Sequence, residues 1–273
     1  MLKYGHMSLL WSTFLGAVQG ITEVLPISST AHLVLMPWFF QVPDQGLSFD
    51  VALHMGSLLA IIIAFWPDWW RLLQKGSTLL RNKLKPSDHD QKMIYFLLLA
   101  TIPGALAGYF LEDIVENTFR SPYIIVVTLI IFGTLLLFAE NRGRKAKSFN
   151  EITLKDALFI GVAQAIAIIP GVSRSGVTIS GGLAMGLKKE EAAKFSFMLS
   201  APIILGAAIA KIPDLSADYL TSVNFWGGLA ASFLFGLLSI KFILKFVQKR
   251  SYRPFVYYRF ALALLIIAFL IWR

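Results

Sequence analysis

The sequence predicts an all-α polytopic membrane protein: an inverted-topology repeat of six transmembrane helices plus two re-entrant helical hairpins. Three observations carry this. The chain of 273 residues is 56% hydrophobic and only 15% charged, against roughly 25% charged in soluble domains. Six apolar segments approach the roughly 20 residues of a helical crossing, while two further apolar regions are shorter and broken by polar motifs. The basic residues cluster in some of the loops and are scarce in others. A mean hydropathy of +0.67 agrees with a lipid solvent. No polar or Pro/Gly/Ser-rich stretch is long enough for a soluble domain, so residues 1–273 are expected to form one membrane domain. Cysteine is absent, which excludes disulfides and thiolate metal sites. The formal charge of +9 is explained by loop topology, so no nucleic-acid partner is expected.

Residues 8–25 are long enough to span, yet the arm that follows, 31–40, is not. Lys3 ahead of an apolar stretch is also how a secretory signal begins, but Gln19, Thr22 and Glu23 stand where a small-residue cleavage site belongs. The pair therefore reads as a hairpin entering and leaving on one side, with its polar motif at the tip. Spans follow at 47–66, 93–111 and 122–140. A second hairpin takes residues 154–169 and 176–187, both short, and the last spans are 195–212, 223–244 and 255–272.

Loop charge sets the orientation. Loop 67–92 holds Arg71, Lys75, Arg81, Lys83, Lys85 and Lys92. Loop 141–153 holds Arg142, Arg144, Lys145 and Lys147, and 245–254 holds Lys245, Lys249, Arg250 and Arg253. All three are expected in the cytoplasm. Loops 112–121 and 211–222 carry acids and one basic residue each, and are expected outside, as are both termini. Alternation then requires 154–187 to begin and end inside, near Lys188, Lys189 and Lys194, and the first hairpin to begin and end outside. Opposite insertion predicts an inverted repeat of 1–140 with 141–273, whose binding site lies where the two tips meet. Internal similarity agrees: Leu15-Gly-Ala-Val-Gln19-Gly20 resembles Ile160-Gly-Val-Ala-Gln164-Ala165, and Met55-Gly-Ser57 echoes Met198-Leu-Ser200.

The first tip reads Gln19-Gly-Ile-Thr-Glu23-Val-Leu-Pro26-Ile-Ser28-Ser29-Thr30-Ala-His32, and the second Pro170-Gly171-Val-Ser173-Arg174-Ser175-Gly176-Val-Thr178. Ionisable and hydroxyl groups at membrane depth are functional-site candidates. At the second tip Pro170 stops a helix, Gly171 and Gly176 permit tight backbone, and a new helix begins, so free N–H groups face the turn. Arg174 adds bidentate geometry for phosphate oxygens, with Ser173, Ser175 and Thr178 as hydroxyl donors. A bland reading pairs Arg174 with Glu23 and uses the hydroxyls as caps. At the first tip Gln19 and Glu23 share a helix face. They could hold a divalent cation, Glu23 alone could act as base, or the two could simply pack helices. Ser28, Ser29, Thr30 and His32 support either a serine nucleophile with Glu23 or His32 as proton acceptor, or a nucleophilic His32. Asp50 and His54 share another face, where an interfacial hydrogen-bonded pair is preferred over a metal or proton role. Trp66, Trp69 and Trp70 read as an interfacial belt, and Tyr257, Tyr258 and Arg259 read the same way.

These residues carry a resemblance. Gln19-x-x-x-Glu23, the continuation Leu25-Pro26-Ile-Ser28-Ser29-Thr30-Ala-His32, and Pro170-Gly-Val-Ser173-Arg174-Ser175-Gly-Val-Thr178 with Ile-Ser-Gly181-Gly182 resemble the undecaprenyl-diphosphate phosphatase family of bacitracin-resistance membrane proteins, over essentially the whole chain. The resemblance implies hydrolysis of a polyprenyl diphosphate lipid to its monophosphate, recycling the carrier for peptidoglycan synthesis. It implies a bacterial cytoplasmic (inner) membrane, a site toward the periplasm, and a Mg²⁺ or Ca²⁺ cofactor. Carried over by motif, Glu23, Ser29, His32 and Arg174 are expected to be catalytic. Ser28, Thr30, Gly171, Ser173, Ser175 and Thr178 are expected to bind substrate, and Gln19 and Glu23 the metal. Gln at position 19 removes one carboxylate and weakens that metal element. A transporter or flippase for a phosphorylated lipid or small anion is the alternative, since broken helices also serve transport. Lipid-facing and dimer surfaces look alike in a chain this apolar, which leaves a homodimer open beside the bilayer as partner.

Overall fold

A computed structural model of the chain describes residues 8–143 and 146–272; Lys3, ahead of the first arm, and Arg144 and Lys145 of the second basic loop lie outside the described residues. Among the described residues twelve α-helices form: α1 (Leu9–Val24), α2 (Ser29–Phe40), α3 (Leu47–Ala64), α4 (Trp66–Arg81), α5 (His89–Ile114), α6 (Pro122–Arg142), α7 (Leu154–Ile166), α8 (Arg174–Ala184), α9 (Lys189–Lys211), α10 (Ala217–Leu220), α11 (Val223–Lys249) and α12 (Arg253–Trp272). Six of them, α3, α5, α6, α9, α11 and α12, are long and apolar enough to cross a membrane. They cover the six predicted spans. Their outer faces keep Ile63, Leu98, Ile131, Phe138, Leu238 and Leu264 exposed, as a lipid-contacting surface requires.

The two regions predicted as hairpins are helix-turn-helix units with short second arms, 12 residues in α2 and 11 in α8. Both turns end on the same device. Ser28 (φ 75°) caps α2 by accepting from the Ala31 N–H, and Ser173 (φ 70°) caps α8 by accepting from the Gly176 N–H. A left-handed serine is uncommon, and here the cap hydrogen bond accompanies it at both turns.

Small residues bring these units close to the spans. α1 packs on α11, α7 on α5, and α8 against α6, α7 and α9. At Gly16 an added Cβ would stand 2.1 Å from the Gly228 carbonyl oxygen, so the α1–α11 crossing exists because position 16 has no side chain. Gly161 meets the Ala100 backbone of α5 in the same manner. α12 lies along α6.

Loop 67–92 is only partly a loop. α4 fills its first half, with Pro67 in the first turn, where its missing N–H is no loss. Leu72 and Leu79 are buried while Trp66, Trp70, Leu73 and Leu80 stay exposed. Lys75 pairs with Asp88 at 2.6 Å and the Gln91 amide donates to Thr78 at 3.0 Å, tying α4 to the start of α5. Its charge kept it from reading as a span, but its apolar positions repeat at helical spacing.

One buried carboxylate holds the end of α6. Glu140 accepts from Ser251 at 2.8 Å, from the Tyr252 N–H at 3.0 and 3.1 Å, and pairs with Lys189 at 2.8 Å. Glu140→Ala leaves Lys189 and the Tyr252 amide without this partner. The expected loss is about 3 kcal/mol, read as a lower melting temperature in detergent with helical circular dichroism unchanged below the transition.

Candidate active site

The two tips touch. The Gly171 N–H donates to the Ser28 hydroxyl at 3.1 Å, and the Ser175 hydroxyl donates to the Leu25 carbonyl at 3.0 Å. Residues some 145 positions apart thereby share one junction, and Glu23, buried at the end of α1, is its centre.

Four side chains converge on that carboxylate. Ser29 donates its hydroxyl to Oε2 at 2.6 Å, and Gln19 donates Nε2 to the same oxygen at 2.9 Å. His54 Nε2 lies 3.2 Å from Oε2, and Arg174 Nη2 donates to Oε1. Their positions follow from local structure. Gln19 stands one turn before Glu23 on α1. Ser29 and Arg174 each come first in the helix that follows a left-handed serine cap, so both point back at the junction. His54 arrives from α3, with its Nδ1 2.6 Å from the Asp50 carbonyl oxygen. Asp50 itself pairs with Arg120 at 2.7 Å, and Arg120 also holds Asp44 at 2.8 Å.

Two polar atoms are left over. Arg174 Nη1 and Gln19 Oε1 are buried without a hydrogen-bond partner, and buried polar atoms left unpaired in lipid are costly. A ligand oxygen would satisfy the first and a cation the second. Room exists in a cavity of about 500 Å³ lined by Glu23, Thr30, His54 and Arg174 and also by Arg120 and Lys211, between α3, α5, α7 and α9.

The sequence-predicted residues divide by place. Glu23, Thr30 and Arg174 line this cavity, and Ser29 is bonded to Glu23. Ser28, Gly171, Ser173 and Ser175 hold the tips to each other or cap helices, and none of them lines the cavity. Thr178 shares a 2.6 Å hydrogen bond with Ser196 of α9, and its hydroxyl also donates to the Arg174 carbonyl at 2.7 Å. His32 is apart from Glu23. Its Nδ1 lies 2.7 Å from the Ser28 carbonyl oxygen and its Nε2 2.7 Å from the Tyr258 hydroxyl. It lines a second, apolar groove of about 510 Å³ with Thr22, Met36, Phe255 and Tyr258, which shares no lining residue with the first.

A family model described as bacitracin resistance protein BacA matches residues 12–265. The chain belongs to the BacA family. Proteins named undecaprenyl-diphosphatase are similar to it along nearly their whole length. One from Pelotomaculum thermopropionicum is 46% identical over 261 residues, 96% of each chain. Another, from Moorella thermoacetica, is 44% identical over 262 residues, covering 96% of this chain and 98% of its own. The one from Caldicellulosiruptor bescii is 43% identical over 269 residues, covering 98% and 99%.

Whether this BacA chain has donors for a divalent cation is a question of oxygen ligands. Among the described residues no three His, Asp or Glu side chains cluster as a metal site. Glu23 with the free Gln19 Oε1 supplies one carboxylate and one carbonyl oxygen. Such a set fits a hard cation that takes its other ligands from phosphate oxygens and water.

Two BacA residues were misjudged from sequence. His54, preferred there as half of an interfacial pair with Asp50, instead reaches Glu23; its one signal was placement on the Asp50 face of an apolar span. Arg259, read as interfacial, is fully buried at 0% exposure, because its guanidinium finds main-chain carbonyls at both tips.

Proposed function

We propose that this chain hydrolyses undecaprenyl diphosphate to undecaprenyl phosphate and inorganic phosphate, returning the lipid carrier to peptidoglycan synthesis. The relatives' names point to that substrate. The observation that carries the reading is the Ser29 hydroxyl donating to Glu23 beside Arg174, whose Nη1 is unpartnered. An anion carrier needs donors but no hydroxyl aimed at a base, so the arrangement favours chemistry over transport.

The terminal phosphate takes the cavity beside Arg174, and Nη1 binds one of its oxygens. Ser29 Oγ attacks the terminal phosphorus in line as its proton passes to Glu23 Oε2. The bond to the bridging oxygen breaks, and undecaprenyl phosphate leaves with that proton, returning Glu23 to its carboxylate. Water then attacks the phosphoserine as its proton passes to Glu23, which hands it to Ser29 Oγ as the P–Oγ bond breaks and inorganic phosphate departs. Arg174 offsets the charge on the equatorial oxygens throughout. His54, from α3, holds Glu23 at the same Oε2 that Ser29 bonds. Gln19 and Glu23 would hold the divalent cation, which when bound supplies further neutralisation of the diphosphate. Ser29 is preferred to His32 as nucleophile because His32 is engaged with Ser28 and Tyr258 at the other groove.

The pairing of α1 with α11 and of α7 with α5, and the matched caps at Ser28 and Ser173, support reading 1–140 and 141–273 as inverted repeats. Glu112, Arg120 and Lys211, in or beside the two loops poor in basic residues, line the cavity. This favours a site open to the periplasm in the inner membrane, with the isoprenoid tail left in the bilayer.

The test is phosphate release from a polyprenyl diphosphate by the purified protein in detergent with Mg²⁺ or Ca²⁺. Ser29→Ala is expected to lower kcat by about 10³-fold or more, and a chelator to stop release until the cation is restored. No release by the wild type in either cation sinks the hydrolase reading.

A further inference from the structure

Arg259 is the largest fully buried side chain among the described residues, and every partner of its guanidinium is a main-chain carbonyl. From α12, Nε donates to Leu129 at 3.1 Å and Nη2 to Thr128 at 3.2 Å, both on α6. Nη1 donates to Pro26 of the first tip at 3.3 Å and to Val172 of the second at 3.2 Å. Nη2 adds Gly171 at 2.7 Å and Val172 at 3.2 Å. One planar group thus bonds both tips and the helix behind them.

The surroundings make room for it. A Cβ at Gly176 would stand 3.1 Å from Arg259 Nη1, and one at Gly133 would stand 3.5 Å from Arg259 Nε. The tip carbonyls lie outside regular helix, where main-chain groups in lipid must find partners within the protein. Pro26 is three residues from Ser29, and Val172 two from Arg174, the pair that meets on Glu23. Lysine could not replace the fork, since its donors sit on one nitrogen.

We propose that Arg259 is a positioning residue that locks the two hairpin tips in one arrangement and so brings Ser29 and Arg174 onto the same carboxylate. It touches no reacting atom. The catalytic part of this rests on the hydrolase reading; the locking does not.

The full chain contains no cysteine, so a pair introduced at the exposed positions Ile21 of α1 and Val162 of α7 takes spin labels at those sites alone. Their distance distribution is measured by pulsed electron resonance in nanodiscs for the parent, Arg259→Lys, Arg259→Met and, as a stability control, Glu140→Ala. The parent and Glu140→Ala are expected to give one narrow distance, and both Arg259 variants a broad or displaced one. With a polyprenyl diphosphate, kcat of Arg259→Lys is expected to fall about 100-fold, as misplacement by about 1 Å can produce, while KM stays within about threefold. A narrow parental distance in Arg259→Lys overturns the proposal, as does a raised KM with kcat unchanged. Aggregation of both Arg259 variants also overturns it, by making the residue one needed for folding. If the parent releases no phosphate, the distances alone decide, so failure of the hydrolase reading and failure of the lock are told apart.

Discussion

Arg174→Ala is expected to lower kcat/KM for phosphate release by about 10³-fold, at the upper end of what removing one preorganised donor does. The size follows from two tasks on one guanidinium. Nη2 is bonded to Glu23, and Nη1 is buried and unpartnered, the donor that the proposed mechanism gives to a phosphate oxygen. Alanine removes both. Arg174→Lys restores the charge on a single nitrogen, which cannot serve Glu23 and a phosphate in the same fixed geometry, and so recovers only part of the rate. Initial rates of phosphate release, compared at equal helical content, read the difference. An alanine variant within tenfold of wild type would remove Arg174 from the machinery.

Gly171→Ala has an effect of comparable size through the backbone. Gly171 has φ +92°, a region alanine reaches only under strain, about 1–3 kcal/mol. Its added Cβ would stand 1.9 Å from Thr128 Oγ1 and 3.1 Å from the Ile125 carbonyl oxygen of α6. The second tip must then lift away from α6, taking with it the Gly171 N–H that bonds Ser28. Near-complete loss of phosphate release is expected, with a lower melting temperature. Adding Thr128→Ala removes the nearer clash but leaves the φ strain, so the double variant should regain part of the stability. A Gly171→Ala protein with wild-type melting and rate would contradict this account of the tip.

Much of this was legible in the sequence because lipid imposes simple rules. The six spans show as apolar runs of sufficient length, and Glu23 and Arg174 show as charges where charge is costly. Their meeting was expected from a binding site placed between two polar tips, and the two turns do touch. α4 was hidden because Asp68, Arg71 and Lys75 exclude it as a span, although an interfacial helix tolerates them. His32 and Ser29 are three apart and share a face by helical spacing, yet they part company. Ser29 is the first residue of α2 and reaches back to Glu23, whereas the His32 ring lies against the Ser28 carbonyl and Tyr258. His54 could not be joined to Glu23 without the packing of α3 on α1. Arg259 showed only as a charge near the start of the last span, and its role was hidden because its partners are backbone carbonyls, which any residue type supplies.

The position of that arginine bears on how the protein is made. A chain emerging from the ribosome delivers α1, the first tip, α6 and the second tip before α12, so every carbonyl that Arg259 will bond is made before the guanidinium is. Until α12 packs along α6, the Thr128, Pro26, Gly171 and Val172 carbonyls lack this donor, and the serine and arginine that meet on Glu23 are not held together by it. Assembly of the site is thereby tied to insertion of α12, and a nascent chain stalled before it would hold its tips by the Gly171–Ser28 and Ser175–Leu25 hydrogen bonds and the Arg174–Glu23 pair alone.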